Sequence, residues 1–215
     1  MINELLQSET FKKLEKDYKF LSRARELLFE LENESYVFFD LETTGLDPQK
    51  SEIIEVAGLK VKNKEITDIF NKLVKPSTPL PQKIKEITGI TDEMLEDAKP
   101  LTDITAPLLN FIEGSILVIH NSEFDISFIN HHIFTPRKLE LKNDVFCSLK
   151  LSRHFLPNLG SYKLGSLADH FGITAKNSHR ALGDVETLFE LWFKLLSRLQ
   201  EKGNVSKEDL LKISG

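Results

Sequence analysis

Two acidic residues stand at the end of a short apolar segment. Asp40 and Glu42 follow the run YVFF at 36–39 and are followed by the turn sequence Thr-Thr-Gly at 43–45. The segment is aromatic and β-branched, so it is predicted to form a β-strand, in which residues two apart share a face. Two carboxylates there repel each other and lose hydration, and Mg²⁺ or Mn²⁺ would offset both costs. The alternative is a pair of acids at the solvated end of a strand.

Another acid, Asp184, falls on the apolar stripe of the last long helix. The members of that stripe are Ala181, Asp184, Val185, Leu188, Leu191, Trp192, Leu195 and Leu199. A core-facing carboxylate needs a partner, and a helix N-terminus stabilises negative charge. Asp184 is therefore a candidate metal ligand, with an ordinary capping acid of the first turns as the alternative.

His179 precedes Asp184 by five residues. On one regular helix the two side chains would diverge by about 140°. They can converge only if His179 lies in the loop before the helix, where Asn177 and Ser178 supply capping chemistry. A histidine in that position, near a metal-bound water, can act as a general base. The alternative is a solvated surface histidine.

Asp125 lies in the segment HNSEFDISFI at 120–129. A strand is predicted to end near His120 and a helix to start near Glu123, so Asp125 shares a helix face with Phe128 and Ile129. Ligand sites in α/β folds gather at such junctions. Its alternative is an ordinary first-turn acid. Together, four acids on three segments and a loop histidine fit the residues of a two-metal phosphodiesterase.

The rest of the chain supplies a frame for these residues. Strands are predicted at 36–42, 53–61, 66–74, 115–120 and 144–146, and helices at 84–87, 92–96, 104–113, 123–133, 164–171 and 181–200. Three early antiparallel strands, followed by strands that alternate with helices, indicate an α/β fold with a mixed five-stranded sheet flanked by helices.

The N-terminal segment 3–33 has no Gly or Pro and repeats apolar residues at helical spacing. It is predicted to be an amphipathic helix, lying either on its own domain or on a partner, including a second copy of the chain. The predicted domain organisation is an N-terminal helical extension at 1–34, a main domain at 35–200 and a short tail at 201–215, with a further turn or two from residue 206.

Composition limits the class of protein. The 215 residues are 40% hydrophobic and 28% charged, with a net charge of −5. The acidic surplus is mild evidence against tight non-specific nucleic-acid binding, although metal ions and local Lys or Arg can offset carboxylates. The single cysteine, Cys147, leaves no intramolecular disulfide and no cysteine cluster for zinc. The N-terminus does not resemble a signal peptide and no apolar run could span a membrane, so we expect a cytoplasmic protein without a membrane partner.

Three motifs resemble those of the DEDDh exonucleases, also called the DnaQ-like family, which have a ribonuclease H-like fold. Asp-x-Glu-Thr-Thr-Gly matches residues 40–45, His-Asn-x-x-Phe-Asp-x-x-Phe matches 120–128, and His-x-Ala-x-x-Asp matches 179–184. The resemblance covers about residues 35–200 and is nearest to the epsilon proofreading subunits of bacterial replicative DNA polymerase.

The resemblance implies a role for each site residue. Asp40, Glu42 and Asp184 would bind a first divalent metal, Mg²⁺ or Mn²⁺. Asp40 would bridge to a second metal, supported by Asp125, and His179 would deprotonate the attacking water. The residues expected to contact the nucleotide are Thr43, Gly45, Leu46, Asn121 and Phe124.

Three functions are compatible with these motifs. The first is a 3′→5′ exonuclease that acts on DNA, most simply single-stranded DNA, in proofreading or repair, alone or with a DNA polymerase subunit. The second is an RNA 3′-trimming exonuclease, because the sequence has no clear reader of the ribose 2′-hydroxyl. The third is a non-catalytic nucleic-acid- or polymerase-binding module. The four intact acids and the histidine favour an enzyme, while the choice of metal, the oligomeric state and the role of the N-terminal helix stay open.

Overall fold

A computed structural model describes residues 34–63, 65–175, 179–202 and 206–215. The helix predicted at 3–33 and the dimerisation considered for it lie outside the described residues. Asn177 and Ser178, predicted to cap the last long helix, lie outside them as well.

Five strands form one mixed sheet. They are β1 (Ser35–Thr43), β2 (Ile53–Lys62), β3 (Glu65–Leu73), β4 (Ile116–Ile119) and β5 (Val145–Cys147), in the spatial order β3-β2-β1-β4-β5. β1 pairs antiparallel with β2, and β2 pairs antiparallel with β3. β4 lies parallel to both β1 and β5. The prediction of a mixed five-stranded sheet with three antiparallel strands first is confirmed.

Helices cover the sheet and connect its strands. In chain order they are α1 (Gln82–Thr88), α2 (Asp92–Leu95), α3 (Leu101–Ile112), α4 (Ser122–Ile129), α5 (Ser148–Phe155), α6 (Leu164–Phe171), α7 (Ala181–Lys202) and α8 (Lys207–Ser214). The helix predicted to run to residue 133 instead ends as α4 and continues as a π-helical turn, Asn130–Phe134, and a 3-10 turn, Thr135–Arg137. Within the described residues, no helix is long and apolar enough to cross a membrane.

The side chains of β1 alternate between two apolar clusters, as its sequence predicts. Tyr36 and Phe38 face α7, where Phe38 packs edge-on against Phe189 with ring centroids 5.3 Å apart. Val37 and Phe39 belong to the cluster on the opposite face, with α3. Because both faces of β1 are covered, this strand is the centre of the sheet, and its C-terminal end carries Asp40 and Glu42.

Strand pairing brings two other segments to that end of β1. The parallel register sets Phe39 beside Ile119, so the chain leaves β4 and enters α4 next to Asp40. On the other side, Glu42 is the cross-strand partner of Glu55 on β2. The end of β1 is therefore surrounded by the start of α4, by β2 and by α7.

Candidate active site

Three carboxylates converge where β1 meets α7. Asp40 and Glu42 share the α7 face of β1, and Asp184 projects from the first turn of α7. One oxygen of each carboxylate lies within 4.8 Å of the other two. Asp40 and Glu42 thus share one strand face, Asp184 faces the core, and the three side chains converge at one point.

Asp125 reaches the same end of β1 from α4. Its side chain is 3% exposed, and the backbone N–H of Leu41 donates a hydrogen bond of 3.1 Å to its Oδ1. The bond fixes Asp125 beside β1, where its negative charge raises the pKa of Asp40. The structure thus places the fourth predicted acid next to the group of three rather than within it.

Burial and mutual repulsion make these acids hard to ionise without a cation. Burial, followed by the charges of Asp125 and other acids, raises the pKa of Asp40 well above its usual range. Burial and then the charge of Asp184 raise the pKa of Glu42 to about 8. Burial also raises the pKa of Asp184. Carboxylate oxygens are the ligands that Mg²⁺ and Mn²⁺ prefer, and a divalent cation removes the repulsion, so these residues fit such an ion.

His179 lies outside α7, in the position that the sequence required for it to approach Asp184. It is exposed, two residues before the helix, and its φ of 64° is in the left-handed region. Its backbone N–H donates a 3.3 Å hydrogen bond to Oδ2 of Asp184. This bond ties the histidine's backbone to the acid cluster and leaves the imidazole open to solvent.

The last residue of β1 and the loop after it carry three of the predicted nucleotide contacts. The hydroxyl of Thr43 donates to the carbonyl of Gly45 at 2.7 Å, which holds the turn closed. Leu46, at the tip, is 85% exposed. A Cβ at Gly45 would lie only 2.6 Å from Oγ of Ser51, so any larger residue there would force one side of the loop to shift.

The other two predicted nucleotide contacts, Asn121 and Phe124, lie at the start of α4. Asn121 is exposed with a φ of 65°, and Phe124 packs against Phe128 with ring centroids 4.9 Å apart. Phe128 in turn stacks on His132, whose Nε2 lies 2.9 Å from the carbonyl oxygen of Ser51. A continuous set of contacts therefore joins α4 to the loop after β1.

Sequence reasoning missed an ion pair at this site. Glu55 of β2 is 1% exposed and pairs with Arg180, which immediately follows His179. A signal for it exists in the sequence, because Glu55 interrupts the apolar run of β2. His132 was missed as well, because its partner lies 81 residues away in the chain.

The chain also matches known proteins. A family model described as "Exonuclease" matches residues 37–192. The chain belongs to this exonuclease family, which confirms the resemblance drawn from the three motifs.

Two curated relatives show how the match is distributed. The chain is 38% identical over 165 residues to DNA polymerase III subunit epsilon of Aquifex aeolicus, covering 77% of this chain and 82% of that protein. It is 40% identical over 177 residues to DNA polymerase III PolC-type of Caldanaerobacter subterraneus subsp. tengcongensis, covering 81% of this chain. The chain spans only 12% of the length of that PolC-type protein.

A solved structure supports the fold. Exonuclease X, in complex with 5′-overhanging duplex DNA, superposes with a TM-score of 0.64 at 25% identity. The match covers 84% of this chain and 99% of that one. The ribonuclease H-like exonuclease fold predicted from the sequence is thereby confirmed.

Proposed function

We propose that this protein is a metal-dependent 3′→5′ exonuclease that removes nucleotides from the 3′ end of DNA. The observation that carries the proposal is the convergence of the Asp40, Glu42 and Asp184 carboxylates within 4.8 Å. Membership of the exonuclease family supports the reaction. The polymerase III relatives and the DNA-bound exonuclease X structure support DNA as the substrate and proofreading or repair as the setting.

In this proposal the acids hold two divalent cations, Mg²⁺ or Mn²⁺. Asp40, Glu42 and Asp184 would hold the first cation, and Asp40, with support from Asp125, would also hold the second. When bound, such cations stabilise negative charge on the attacking and leaving oxygens of the phosphodiester. The chemistry of the donors supports this assignment, because all four are carboxylates whose pKa is raised in the absence of a cation.

His179 is the proposed general base. It takes a proton from water as the water oxygen forms a bond to the terminal phosphorus. The bond from phosphorus to the 3′-oxygen of the preceding nucleotide breaks, and that oxygen takes up a proton as it leaves. The products are a nucleoside 5′-monophosphate and a polymer that is shorter by one nucleotide. The exposed loop position of His179 next to Asp184 supports the role.

The terminal nucleotide is proposed to lie between the loop after β1 and the start of α4. Leu46 offers an apolar wedge and Phe124 an aromatic face for the last bases, as in other single-strand binding sites. Thr43, Gly45 and Asn121 would contact the sugar and phosphate. The exposure of Leu46 and Asn121 beside the acid cluster supports this placement. In the same proposal, residues 35–200 form the exonuclease domain between the 1–34 extension and the 201–215 tail, and a DNA polymerase subunit is the proposed protein partner.

A single assay tests the function against its alternatives. Single-stranded DNA and RNA of the same sequence, labelled at the 5′ end, are incubated with the protein and Mg²⁺, Mn²⁺ or EDTA. A metal-dependent ladder that shortens from the 3′ end of DNA, with nucleoside 5′-monophosphates released, is expected. A ladder on RNA alone would select RNA trimming. Binding without release of nucleotides from either polymer would select a non-catalytic module and reject the enzyme.

A further inference from the structure

A single buried carboxylate on β2 contacts the residues at the start of α7. Oε2 of Glu55 accepts a hydrogen bond from Nε of Arg180 at 3.1 Å, and Oε1 accepts one from Nη2 at 2.8 Å. The backbone N–H of Ala181, the first residue of α7, donates a third, 3.1 Å bond to Oε2. A bidentate arginine-carboxylate pair allows little freedom of orientation. We call this arrangement of Glu55, Arg180 and the Ala181 N–H the Glu55 clamp.

The Glu55 clamp contacts the chain immediately after His179, the proposed general base. His179 is the residue before Arg180, and Asp184 lies one turn further into α7. The φ of 64° at His179 is a conformation that residues other than glycine keep only where their surroundings enforce it. On one side the Asp184 carboxylate accepts the His179 N–H, and on the other the clamp fixes Arg180.

Stability alone does not account for a charged residue at position 55. Glu55 is cross-strand from Glu42, and its charge raises the pKa values of Asp40, Glu42 and Asp184. A buried ion pair is often no more stabilising than apolar residues of similar size. The apolar neighbours in β2 show that this strand accepts such residues. The pair therefore keeps two charged groups beside the acid cluster, and what an apolar pair could not supply is the oriented contact from Glu55 to Arg180 and to the N–H of Ala181.

We propose that Glu55 and Arg180 are positioning residues that hold His179 and the start of α7 in the geometry needed for hydrolysis. They act through the histidine and not by contact with the nucleic acid. This inference rests on the exonuclease function proposed above, and it names two residues outside the expected set of acids and histidine.

The first test separates orientation from stability. The double variant E55L/R180L removes both charges and leaves neither unpaired, so the chain is expected to fold. Its melting temperature is expected to be moderately lower than that of the wild type, because the buried N–H of Ala181 loses its acceptor. Its kcat on single-stranded DNA is expected to fall about 10- to 100-fold, with KM changed less than about twofold, because displacing a catalytic group slows the chemical step. R180K keeps a charge but not the bidentate contact, so its kcat is expected to lie between that of the wild type and that of E55L/R180L.

A matched control is available at the opposite end of the sheet. Lys207 also forms a partly buried ion pair, with Glu34, at 2.6 Å. K207Q is expected to leave kcat and KM unchanged. If K207Q lost as much kcat as E55L/R180L, or if E55L/R180L kept full kcat, the positioning role would be overturned.

A double-mutant cycle shows whether the clamp acts through His179. In a chain that carries H179A, adding E55L/R180L is expected to cost less than about twofold in kcat, because the residue that the clamp positions is already absent. Full additivity of the two effects would overturn the inference.

A readout independent of activity distinguishes this inference from the proposed function. Hydrogen exchange of the Ala181 amide is expected to be at least about tenfold faster in E55L/R180L than in the wild type or K207Q, because its acceptor is gone. Equal exchange rates in all three proteins would overturn the clamp whether or not the wild type degrades DNA. A wild type that degrades neither polymer would reject the exonuclease, while the exchange rates would still decide whether Glu55 orders this segment.

Discussion

Asp40 is the residue at which burial and charge conflict most directly. It shares its end of β1 with Glu42, Asp184 and Asp125, and all three raise its pKa. Asp40→Asn keeps the shape of the side chain and removes its charge. We expect exonuclease turnover to fall about 1,000-fold or more, because the group that bridges the proposed metals is lost.

The same substitution is expected not to unfold the chain, because it relieves repulsion in the metal-free protein. Thermal melting in EDTA should give an equal or higher melting temperature for Asp40→Asn than for the wild type. Asp97→Asn, at an exposed position, is the control and should match the wild type in both assays. Near-normal turnover of Asp40→Asn would show that the site has been assigned to the wrong residues.

His179 gives a second prediction at the scale of one residue. His179→Ala is expected to reduce kcat by about 100- to 10,000-fold, the usual contribution of a general base. Binding of Mn²⁺, followed by calorimetry, should be retained because the carboxylates remain. His154→Ala removes another exposed histidine and should change neither quantity. An unaltered rate and an unaltered pH profile in His179→Ala would argue against its role as the base.

The sequence predicts the local geometry of single residues in the site and not their contacts with distant parts of the chain. Strand parity placed Asp40 and Glu42 on one face, and helical periodicity turned Asp184 toward the core; the structure shows both. Glu55 could not be found in this way, because its importance depends on the register between β1 and β2 and on an arginine 125 residues later in the chain. Neither relation leaves a periodic pattern.

At the scale of elements, the loop between β1 and β2 depends on how closely Gly45 and Ser51 pack. In Gly45→Ala the new Cβ would lie 2.6 Å from Oγ of Ser51, so one side of the loop must shift. Overpacking of this kind costs on the order of 1 kcal/mol, and we expect KM for single-stranded DNA to rise about fivefold as Leu46 is displaced.

Ser51 supplies the rescue for that variant. In Gly45→Ala/Ser51→Ala the new Cβ would lie 3.5 Å from the Cβ at 51, which is an ordinary contact distance. KM is expected to return to within about twofold of the wild type, as measured by steady-state kinetics alongside Ser51→Ala alone. A double variant as impaired as Gly45→Ala would mean that the crowding does not control the loop.

The junction of β4 with α5 predicts a pH dependence. Nδ1 of His120, just after β4, lies 2.8 Å from Oγ of Ser148 at the start of α5, and burial lowers the pKa of His120 from 6.5 to about 4. The unfolded chain therefore binds this proton first, so stability is expected to fall as pH decreases from 6.5 to about 4. In thermal melting, His120→Gln should lose less melting temperature across this pH window than the wild type. The exposed His154→Gln should lose as much as the wild type. Parallel curves for His120→Gln and wild type would contradict the prediction.

Elements were predicted from the sequence better than their details. All five strands were found within one or two residues, because four are short apolar segments and β3 alternates apolar and polar residues, each between polar turns. Helix α5 was missed, since only Leu151 and Phe155 of its eight residues are apolar and buried. The π-helical turn that brings His132 to Ser51 was predicted as ordinary helix, because hydrophobic spacing does not distinguish one extra residue in a turn.

At the scale of the whole molecule, the sheet gathers negative charge from four elements. β1, β2, α4 and α7 all bring acids to one end of β1, where the charges of Asp125 and Glu55 add to those of the three converging carboxylates. The free energy of packing these elements together therefore includes the cost of bringing their acids close. Binding of a cation at this site should therefore raise the free energy of unfolding of the whole protein.

Removal of metal is therefore expected to make the stability of the whole protein fall as pH rises toward about 8. Burial and neighbouring acids raise the pKa of Glu42 from 4.5 to about 8, so in EDTA the folded protein retains a proton that the unfolded chain has lost. This contribution is complete below pH 4.5 and is lost as pH rises through about 8. A bound divalent cation favours the ionised carboxylates and opposes that loss.

Thermal melting between about pH 6.5 and pH 9 tests this prediction above most of the pH range in which protonation of His120 changes stability. In EDTA the melting temperature should fall across the window, and excess Mn²⁺ should reduce the fall. Glu42→Gln, which cannot ionise at this position, should show a smaller fall in EDTA and less gain from the metal. Because Asp97→Asn removes only an exposed acid, it should behave as the wild type does. A melting temperature in EDTA that stays constant across the window would mean that the carboxylates are ionised together without a cation, and that repulsion at the end of β1 does not limit the stability of the fold.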